Sequence, residues 1–436
     1  MTTVTREIMT FTSEGFESFL ATRNEPEWLT EQRRQAWDRF IELGWPTRKD
    51  EEWMRTDIRQ FKLEEFEIGG IRAQIGSPNL LSEGVDVAGS VSFSGGVATV
   101  QKDLDSNWID KGVVFGPLNE LVHTHGDLIE KYLNRLVDPN IDRFSALHAA
   151  TWANGYFLYV PRNVVLEQPI HTSNIMGDGG SDFGHTLIVL EDGAEATVLA
   201  ESSSDSSESG GLHCGAVEIY VGDRANLRYV NLQDWSQNVW HFAHQKATVG
   251  QDSNLQWTVG ALGSKLAKVN QHVDLTGEGG NTQVNGVMFT ENEQHLSYHT
   301  QQRHCDPNCV SDFLYKAALQ DHSRTVWRGM IKVDKDAQKT DGFQRNDNLL
   351  LSTKARADSI PGLEIEADDV RCTHGSTSGR VDEELIFYAM ARGFTRKEAV
   401  RAIVVGFFQQ VFDRVTIESV REALGVAIAR RVRDYE

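Results

Sequence analysis

The sequence is poor in the two residues that most often fix or interrupt backbone structure. It has 4 cysteines and 9 prolines in 436 residues. Four cysteines in a chain of this length do not make the disulfide framework of a small secreted protein, so we expect free thiols. No proline lies between Pro169 and Pro307. Because proline cannot donate a hydrogen bond to a neighbouring strand, this gap favours strands paired on both sides.

Long apolar runs and an excess of positive charge are also missing. No stretch approaches the ~18 apolar residues of a membrane-spanning helix, and the formal net charge is -20. Nucleic acids and anionic membranes attract basic proteins, so the composition disfavours both as partners. Residues 1–14 have neither the apolar core of a signal peptide nor the Arg-rich pattern of a transit peptide. We therefore expect a cytoplasmic protein.

The apolar content is sufficient for a folded chain, with 40% hydrophobic residues, 10 Trp and 20 Phe. Apolar residues recur at three- and four-residue steps in 15–44 and again in 118–137, the pattern of amphipathic helices. The segment between them is rich in glycine and alternating, which indicates short strands and loops. We assign residues 1–150 to a helical domain with a small α+β part.

A repeat dominates the next region. Glycines at 193, 222, 250 and 277 recur at intervals of 27 to 29 residues, and each is followed by a short alternating, strand-like run. Such a period is typical of stacked or solenoid architectures. With little helical pattern nearby, we predict a β-helix over residues 151–355. A β-sandwich with similar hairpin spacing is the alternative.

Helical patterns return after Leu351, and we assign residues 356–436 to a C-terminal helical domain. A short helix is predicted over Asp382–Met390, a capping box at Thr395 and Glu398 opens the next helix, and a last helix covers about 417–432. The predicted class is thus mainly β, a β-helix core with helical domains at both ends.

The densest group of chemically useful side chains is a Cys-x-His sequence, Cys372 and His374. In an extended segment two residues this far apart point to the same side. A thiolate and an imidazole can bind a soft or borderline metal, or act as nucleophile and base. They can equally be a buried thiol and a surface imidazole without a role, and two ligands do not complete a zinc site. We expect residues 375–379 to form an exposed turn.

A second group contains His304, Cys305 and Cys309, preceded by His295 and His299. Together with the Cys-x-His pair it could form a zinc site. The spacing matches no common zinc motif, however, and the alternative is a proline turn with two incidental thiols.

Other motifs are absent or uninformative. We interpret His123 and His125 as surface residues and Cys214 as a core thiol. The sequence has no P-loop, dinucleotide fingerprint, Gly-x-Ser-x-Gly elbow or His-Glu-x-x-His motif. A β-helix that acts on carbohydrate is a further alternative, although such proteins usually work outside the cell.

Residues 371–388 (RCTHGSTSGRVDEELIFY), followed by 392–394 (RGF), closely resemble the C-terminal signature of the SufB/SufD family of iron–sulfur cluster assembly proteins. The resemblance spans nearly the whole chain. Its further segments are 43–53 (LGWPTRKDEEW), Thr56-Asp57, 144–147 (FSAL), 159–161 (YVP), Pro169-Ile170, 347–352 (DNLLLS) and 361–369 (PGLEIEADD). The Cys-Thr-His-Gly sequence is more similar to SufD than to SufB, in which a Glu-His-Glu type sequence is usual.

The resemblance implies a right-handed parallel β-helix with a helical domain at each end. It also implies a non-catalytic scaffold that pairs with a SufB-like paralogue and recruits a SufC-like ABC ATPase through its C-terminal helices. A nascent cluster would form at the SufB–SufD interface, with His374 and Cys372 as candidate iron ligands and His374 the stronger of the two. Iron or a cluster would be held there transiently and none would be tightly bound to the isolated chain, which could self-pair as a homodimer.

Two features depart from the family pattern. Cys305 and Cys309 match no residues that the family requires, and His148 stands where the resemblance leads us to expect Asn. The rival interpretation is a β-helix protein that acts on carbohydrate, or serves as a homomeric scaffold, without metal chemistry.

Overall fold

The computed structural model describes residues 9–71, 73 and 80–432. Its centre is a β-solenoid of about eight turns, flanked by helices from both ends of the chain. Two large sheets face each other, and nearly all neighbouring strands are parallel. The exceptions are the antiparallel pairs β1–β2 and β3–β4 at one end. Residues 1–8, part of the segment predicted to carry no targeting peptide, lie outside the described residues.

Strands are numbered in chain order, and each sheet is described in the order of its strands in space. Sheet A consists of β2 (Val97–Lys102), β1 (Gly89–Ser94), β5 (Ile170–Met176), β8 (Glu195–Ser204), β10 (Asn226–Asp234), β12 (Asn254–Ala261), β14 (Asn281–Thr290), β16 (Val310–Leu319), β18 (Asp341–Leu350) and β20 (Arg371–Arg380). Sheet B consists of β19 (Arg356–Ile365), β17 (Arg324–Val333), β15 (His295–His304), β13 (Leu266–Leu275), β11 (Asn238–Val249), β9 (Gly210–Val221), β7 (Gly184–Leu190), β4 (Asn154–Val160) and β3 (Val114–Pro117), and β6 (Gly180–Asp182) pairs with β9.

The glycine repeat marks successive turns of the solenoid. Asn226, Asn254 and Asn281, which follow the repeated glycines, are direct register partners on adjacent parallel strands. Their side-chain amides form a ladder, with Nδ2–Oδ1 distances of 2.9 and 3.0 Å between neighbours. The predicted parallel β-helix is therefore confirmed, and the β-sandwich alternative is wrong.

Successive side chains of each strand point alternately to the solenoid interior and to the outer face of the sheet. Interior residues such as Val198, Leu227 and Trp257 form one continuous apolar core. On the outside, sheet B packs against the N-terminal helices and sheet A packs against the C-terminal helices. Both outer faces are therefore covered along much of their length, which explains why strand residues of either parity are apolar.

The helices cover parts of both outer faces. They are α1 (Ser13–Ala21), α2 (Glu27–Glu42), α3 (Ser106–Ile109), α4 (Leu118–Thr124), α5 (Gly126–Tyr132), α6 (Arg143–Thr151), α7 (Glu383–Met390), α8 (Arg396–Phe412) and α9 (Glu418–Arg431), with short 3-10 helices at Glu51–Trp53 and Leu63–Glu65. The capping box predicted at Thr395 and Glu398 is present at the start of α8. Within the described ranges, none of the helices has the length and apolar character needed to span the bilayer.

Both predicted domain boundaries fall inside the solenoid. Strands β1 to β3 come from residues 89–117, so the first 150 residues contribute to both sheets. At the other end, residues 356–365 and 371–380 form β19 and β20, and the C-terminal helices begin at Glu383 rather than at 356. The segment 375–379, predicted as an exposed turn, continues strand β20. Neither strand has the alternating apolar pattern that predicts a strand, because β20 consists mostly of small and polar residues and β19 contains Pro361 and Gly362.

Buried histidines link the stability of the solenoid to pH. Burial lowers the pKa of His272, His295, His299 and His304 to about 4, whereas the pKa of a histidine in an unfolded chain is about 6.5. Between these values the unfolded state binds more protons than the folded state, so acid favours unfolding. We expect these groups to cost no stability above about pH 6.5 and to destabilise the fold progressively below it.

Urea denaturation at pH values across this window measures the effect, which amounts to about 1.4 kcal/mol per pH unit for each titrating histidine. Replacing the buried His304 with glutamine removes one such group, so the free energy of unfolding depends less steeply on pH. Replacing the exposed His123 with glutamine is the matched control and leaves the slope unchanged. Equal slopes in the two variants would contradict the assignment.

Candidate functional site

Cys372 and His374 lie on β20, the last strand of sheet A. Their register partners on β18 are Gly342 and Gln344, both buried residues that face the solenoid interior. The two side chains therefore point to the same face, as the sequence predicts, and that face is the interior one. Since β20 ends the sheet, this interior face opens at the end of the solenoid.

The last strand of each sheet has a free edge. Among the described strands, β20 pairs with β18 alone and β19 pairs with β17 alone. Strand β20 is largely exposed and β19 is mostly half-buried, in contrast to the buried strands before them. Their outward N–H and C=O groups form an open template for another strand. The Cys-x-His pair is thus located at an end of the molecule where two parallel sheets stop together.

The two candidate ligands have different environments. Cys372 is half-buried and packs against the small apolar cluster that includes Ile331 and Val333. Burial raises the pKa of the Cys372 thiol, which a backbone hydrogen bond from Gly342 partly offsets. The thiol is therefore protonated at neutral pH, and a metal ion would have to displace its proton on binding. His374, in contrast, is exposed, so its imidazole is accessible to a partner or an ion.

The Cys-x-His pair does not form a complete metal site by itself. Within the described residues, no group of three or more His, Cys, Asp or Glu side chains is arranged to hold a metal ion. An ion at Cys372 and His374 would need further ligands from another molecule.

Comparison with protein families identifies the chain. The family described as "SUF system FeS cluster assembly, SufBD core domain" matches residues 173–407, and the family described as "SufBD protein N-terminal region" matches residues 17–172. The chain belongs to the SufBD family. Its members take part in iron–sulfur cluster assembly, so this chain is an iron–sulfur cluster assembly protein rather than a carbohydrate-acting one.

Relatives in staphylococci support the assignment to the SufBD family. An "iron-sulfur cluster assembly SufBD family protein" of Staphylococcus aureus (strain MRSA252) is 26% identical over 416 residues, which cover 91% of this chain and 88% of the relative. A protein of the same description from Staphylococcus saprophyticus is 28% identical over 320 residues, covering 73% of this chain and 69% of the relative. The similarity therefore extends across both the helical and the solenoid parts.

The second cysteine–histidine group does not join the first in this SufBD chain. His304 is fully buried and lies 2.8 Å from Ser311 Oγ through its Nε2 atom. Cys309 is buried and donates a hydrogen bond from its Sγ to Gly277 O, and burial raises the pKa of Cys305 to about 11. These residues belong to the end of β15 and to the turn that leads into β16, and β18 separates β16 from β20 in sheet A. The zinc site proposed from sequence is not assembled by the described residues.

The remaining predicted residues have structural positions. Cys214 is buried and donates from Sγ to Phe144 O at 3.4 Å, which confirms a core thiol. His123 is exposed and His125 is partly exposed, at the junction of α4 and α5. Both histidines belong to the N-terminal helical part, which packs on sheet B, whereas β20 belongs to sheet A.

Sequence reasoning missed an apolar surface just beyond the candidate site. Helix α7 is anchored by the fully buried Ile386, while its other large side chains face solvent. The exposed fractions reach 74% for Phe387 and 58% for Tyr388. We call the exposed residues the α7 patch: Leu385, Phe387, Tyr388, Met390 and Phe394. Exposed large apolar side chains grouped in this way are a candidate interaction site, and their closeness is visible in the sequence.

Proposed function

We propose that the chain is a non-catalytic, SufD-type scaffold subunit of the iron–sulfur cluster assembly machinery. It pairs with a SufB-like paralogue at the open end of its solenoid and recruits a SufC-like ABC ATPase through its C-terminal helices. A nascent cluster forms at the interface between the two paralogues. The observation that carries this proposal is the position of Cys372 and His374 on the free last strand of sheet A.

Open sheet edges support pairing at this end. A long edge strand without a neighbour promotes association unless it is covered, and natural proteins protect such edges. Among the strands that the structure describes, β19 and β20 each present an unpaired edge of ten residues, and a partner with a matching solenoid end would complete the hydrogen bonding. We propose a related chain as the occupant, because a chain with the same solenoid fold would present two sheet ends with the same spacing. A second copy of this chain is the alternative occupant when the paralogue is missing.

The ligand count supports transient rather than permanent binding of the cargo. Iron in clusters is usually held by four thiolate or imidazole ligands. This chain offers one thiol and one imidazole at the open end, and the partner would supply the rest. An ion or cluster shared in this way is released when the interface opens. Iron is therefore a passing substrate of the complex and not a resident cofactor of this chain.

The α7 patch supports recruitment of the ATPase. It lies on the helix that directly follows β20, so a protein bound to the patch can move the strand that carries His374. Basic side chains accompany it, and Arg392 stacks on the Tyr388 ring at 4.2 Å from the ring centroid. Coupling of ATP hydrolysis to the cluster site would follow from this adjacency.

Co-purification from the native host tests the proposal. We expect the tagged full-length chain to bring down a paralogous solenoid protein and an ABC-type ATPase. Recovery of the chain alone, or solely as a homodimer, when both candidate partners are expressed would refute the scaffold role.

Substitution of Phe387 by Asp tests which surface binds the ATPase. Placing a carboxylate in the centre of an apolar contact typically costs roughly 2 kcal/mol or more of binding free energy, so we expect the ATPase to be lost and the paralogue to be retained. Val426→Asp is the matched control, because Val426 is a 46% exposed apolar residue on α9, outside the α7 patch. Equal retention of the ATPase by both variants would exclude the α7 patch.

A further inference from the structure

A polar cavity lies inside the first turns of the solenoid, whereas Cys372 and His374 lie on its last strand. The cavity is found where β5, β8 and β10 end and where β6, β7, β9 and β11 begin. Its volume is about 90 Å³. Since a water molecule needs roughly 10–15 Å³ of such space, the cavity has room for several particles of that size.

Asp182 contributes a carboxylate to the cavity wall. The residue is 5% exposed, and its two oxygens accept hydrogen bonds from Asn154 Nδ2 at 2.7 Å and from Asn174 Nδ2 at 2.8 Å. Both donors are neutral amides, and none of the described residues that line the cavity is Lys or Arg. A buried carboxylate is unfavourable unless a positive charge balances it.

The histidines beside Asp182 do not balance its charge. His213 Nε2 lies 3.4 Å from Asp182 Oδ2, and His213 Nδ1 lies 2.7 Å from His241 Nδ1. Burial lowers the pKa of both imidazoles, so both are neutral at neutral pH. The other carboxylate of the cavity wall, Glu201, has a partner of its own in His171 Nε2 at 2.7 Å. Asp182 therefore remains without a counter-charge from the residues around the cavity.

The same cavity is lined by residues whose amide oxygens have no partner. Asn154 Oδ1, Asn231 Oδ1 and Gln245 Oε1 are buried and accept no hydrogen bond from the described residues. Asn154 is 1% exposed and Gln245 is 6% exposed. The Asn154 amide has a fixed orientation, because a carboxylate only accepts and Nδ2 must therefore face Asp182. Three unpaired acceptors around one carboxylate indicate a site for a positively charged ligand.

Two glycines keep the space beside these oxygens open. A Cβ atom at position 184 would lie 3.6 Å from Asp182 Oδ2 and 3.8 Å from Asn154 Oδ1, so both oxygens flank one point that glycine leaves free. On the neighbouring strand, a Cβ atom at position 215 would collide with the His213 ring, at 2.7 Å from Nε2. Any larger residue at either position would fill part of the cavity or displace its wall.

A surface groove adjoins the cavity and offers an approach to it. The groove has a volume of about 700 Å³, and Glu201, Ser202 and Trp235 are among the residues that line both spaces. Glu208 and Asp234 add carboxylates to the groove. Clefts lined by negative charge attract cations, so the approach has the same preference as the cavity.

Carboxylate and amide oxygens are the usual ligands of hard cations. The two histidines are not arranged as a chelate, since the described residues contain no group of three His, Cys, Asp or Glu side chains that could hold a metal ion. One carboxylate without a counter-charge balances one positive charge. We propose that the cavity binds a small monovalent cation, K⁺ or Na⁺, between Asp182 and Asn154. Water alone would satisfy the amide oxygens but would leave the carboxylate unbalanced. The inference does not depend on the role of Cys372 or His374.

Thermal unfolding of the full-length chain in different chloride salts tests the site. A ligand that binds the folded state raises the unfolding temperature as its concentration increases. We expect K⁺ or Na⁺ to raise the midpoint relative to equal concentrations of tetramethylammonium, which is too large for the cavity. The ion with the larger effect is the preferred occupant. Asp182→Asn should abolish this difference between the salts.

Asp110→Asn is the matched control, because it removes the same charge from an exposed position. This variant should retain the full effect of K⁺ or Na⁺. Equal midpoints of the wild type in all three salts would overturn the proposal. An ion effect that persists in Asp182→Asn would be a general effect of salt and would overturn it as well.

Diffraction from wild-type crystals gives a second test that needs no variant. Crystals soaked in Tl⁺, a substitute for K⁺, should show an anomalous peak in the cavity. If Na⁺ is the occupant, crystals grown in Na⁺ should instead show a density peak closer to the oxygens of Asp182 and Asn154 than a hydrogen-bonded water. A cavity that contains water alone in both salts would refute the cation site even if Asp182→Asn fails to fold.

Discussion

A complex that contains His374→Ala should assemble normally and accumulate almost no iron–sulfur cluster. His374 is exposed on the free last strand, so its side chain supports neither the core nor the β18–β20 ladder. Removing it leaves a half-buried thiol as the single ligand from this chain, and we expect cluster content to fall by roughly tenfold or more, as for lost metal-site partners. Visible absorbance, iron and acid-labile sulfide per complex measure the content, and size-exclusion chromatography measures assembly.

Ser376→Ala is the matched control for this variant. Ser376 is also exposed, lies two residues further on the same interior-facing side of β20, and pairs with Asn346. Its loss should change neither assembly nor cluster content. Normal cluster accumulation by the His374→Ala complex would rule out His374 as a required ligand. Failure of that complex to assemble would instead assign His374 to the subunit interface.

The interior of the solenoid could be predicted from sequence because each turn repeats the same physical requirement. The glycines before Asn226, Asn254 and Asn281 occupy equivalent turns, and the apolar positions after them fill one continuous core. The last turn could not be predicted in this way. Among the described strands, β19 and β20 each have one edge without a neighbour; β20 is mostly exposed and β19 is partly buried, and neither has an alternating apolar pattern.

The candidate site could be predicted in part from local sequence. The residue types and spacing of Cys372 and His374 suggested ligands on one face, and the structure confirms the shared face. That this face is the interior one, and that Gln344 lies beneath, depends on pairing between distant segments. Local sequence patterns contain no information about which residue of one turn lies under which residue of the next, except where a repeat sets the register.

A second feature that local sequence patterns do not reveal is a buried hydrogen-bond network that connects the N-terminal region to sheet B. Glu218 on β9 is fully buried and accepts backbone N–H groups from Asn134, Leu136 and Val137 at 2.7, 2.6 and 2.9 Å. Its carboxylate also lies 3.0 Å from His185 Nε2. One side chain therefore satisfies three donors of a loop that has no regular structure of its own.

The hydrogen-bond network continues from Glu218 through two imidazoles. His185 Nδ1 lies 3.0 Å from His148 Nε2, and His148 Nδ1 lies 2.8 Å from the backbone oxygen of Cys214. Burial lowers the pKa of His148 well below its usual range, so His148 is neutral and donates to Cys214 from Nδ1. Its Nε2 then accepts from His185. The histidine that stands where Asn was expected is thus part of a connected network.

Glu218→Ala should strongly destabilise the attachment of residues 134–137. The substitution leaves three backbone N–H groups and an imidazole without their acceptor in a buried site, for which losses of about 3–5 kcal/mol are typical. Glu218→Gln should cost less, because one oxygen remains for Leu136 and Val137 while the new amide NH₂ opposes the Asn134 N–H. Urea denaturation measures the free energy of unfolding, and hydrogen exchange at the three amides measures the local effect.

Glu64→Ala, at an exposed glutamate, is the control and should change neither free energy by more than about 0.5 kcal/mol. If the three amides stay protected in Glu218→Ala, the carboxylate does not hold this loop, and the interface must be stabilised by apolar contacts alone.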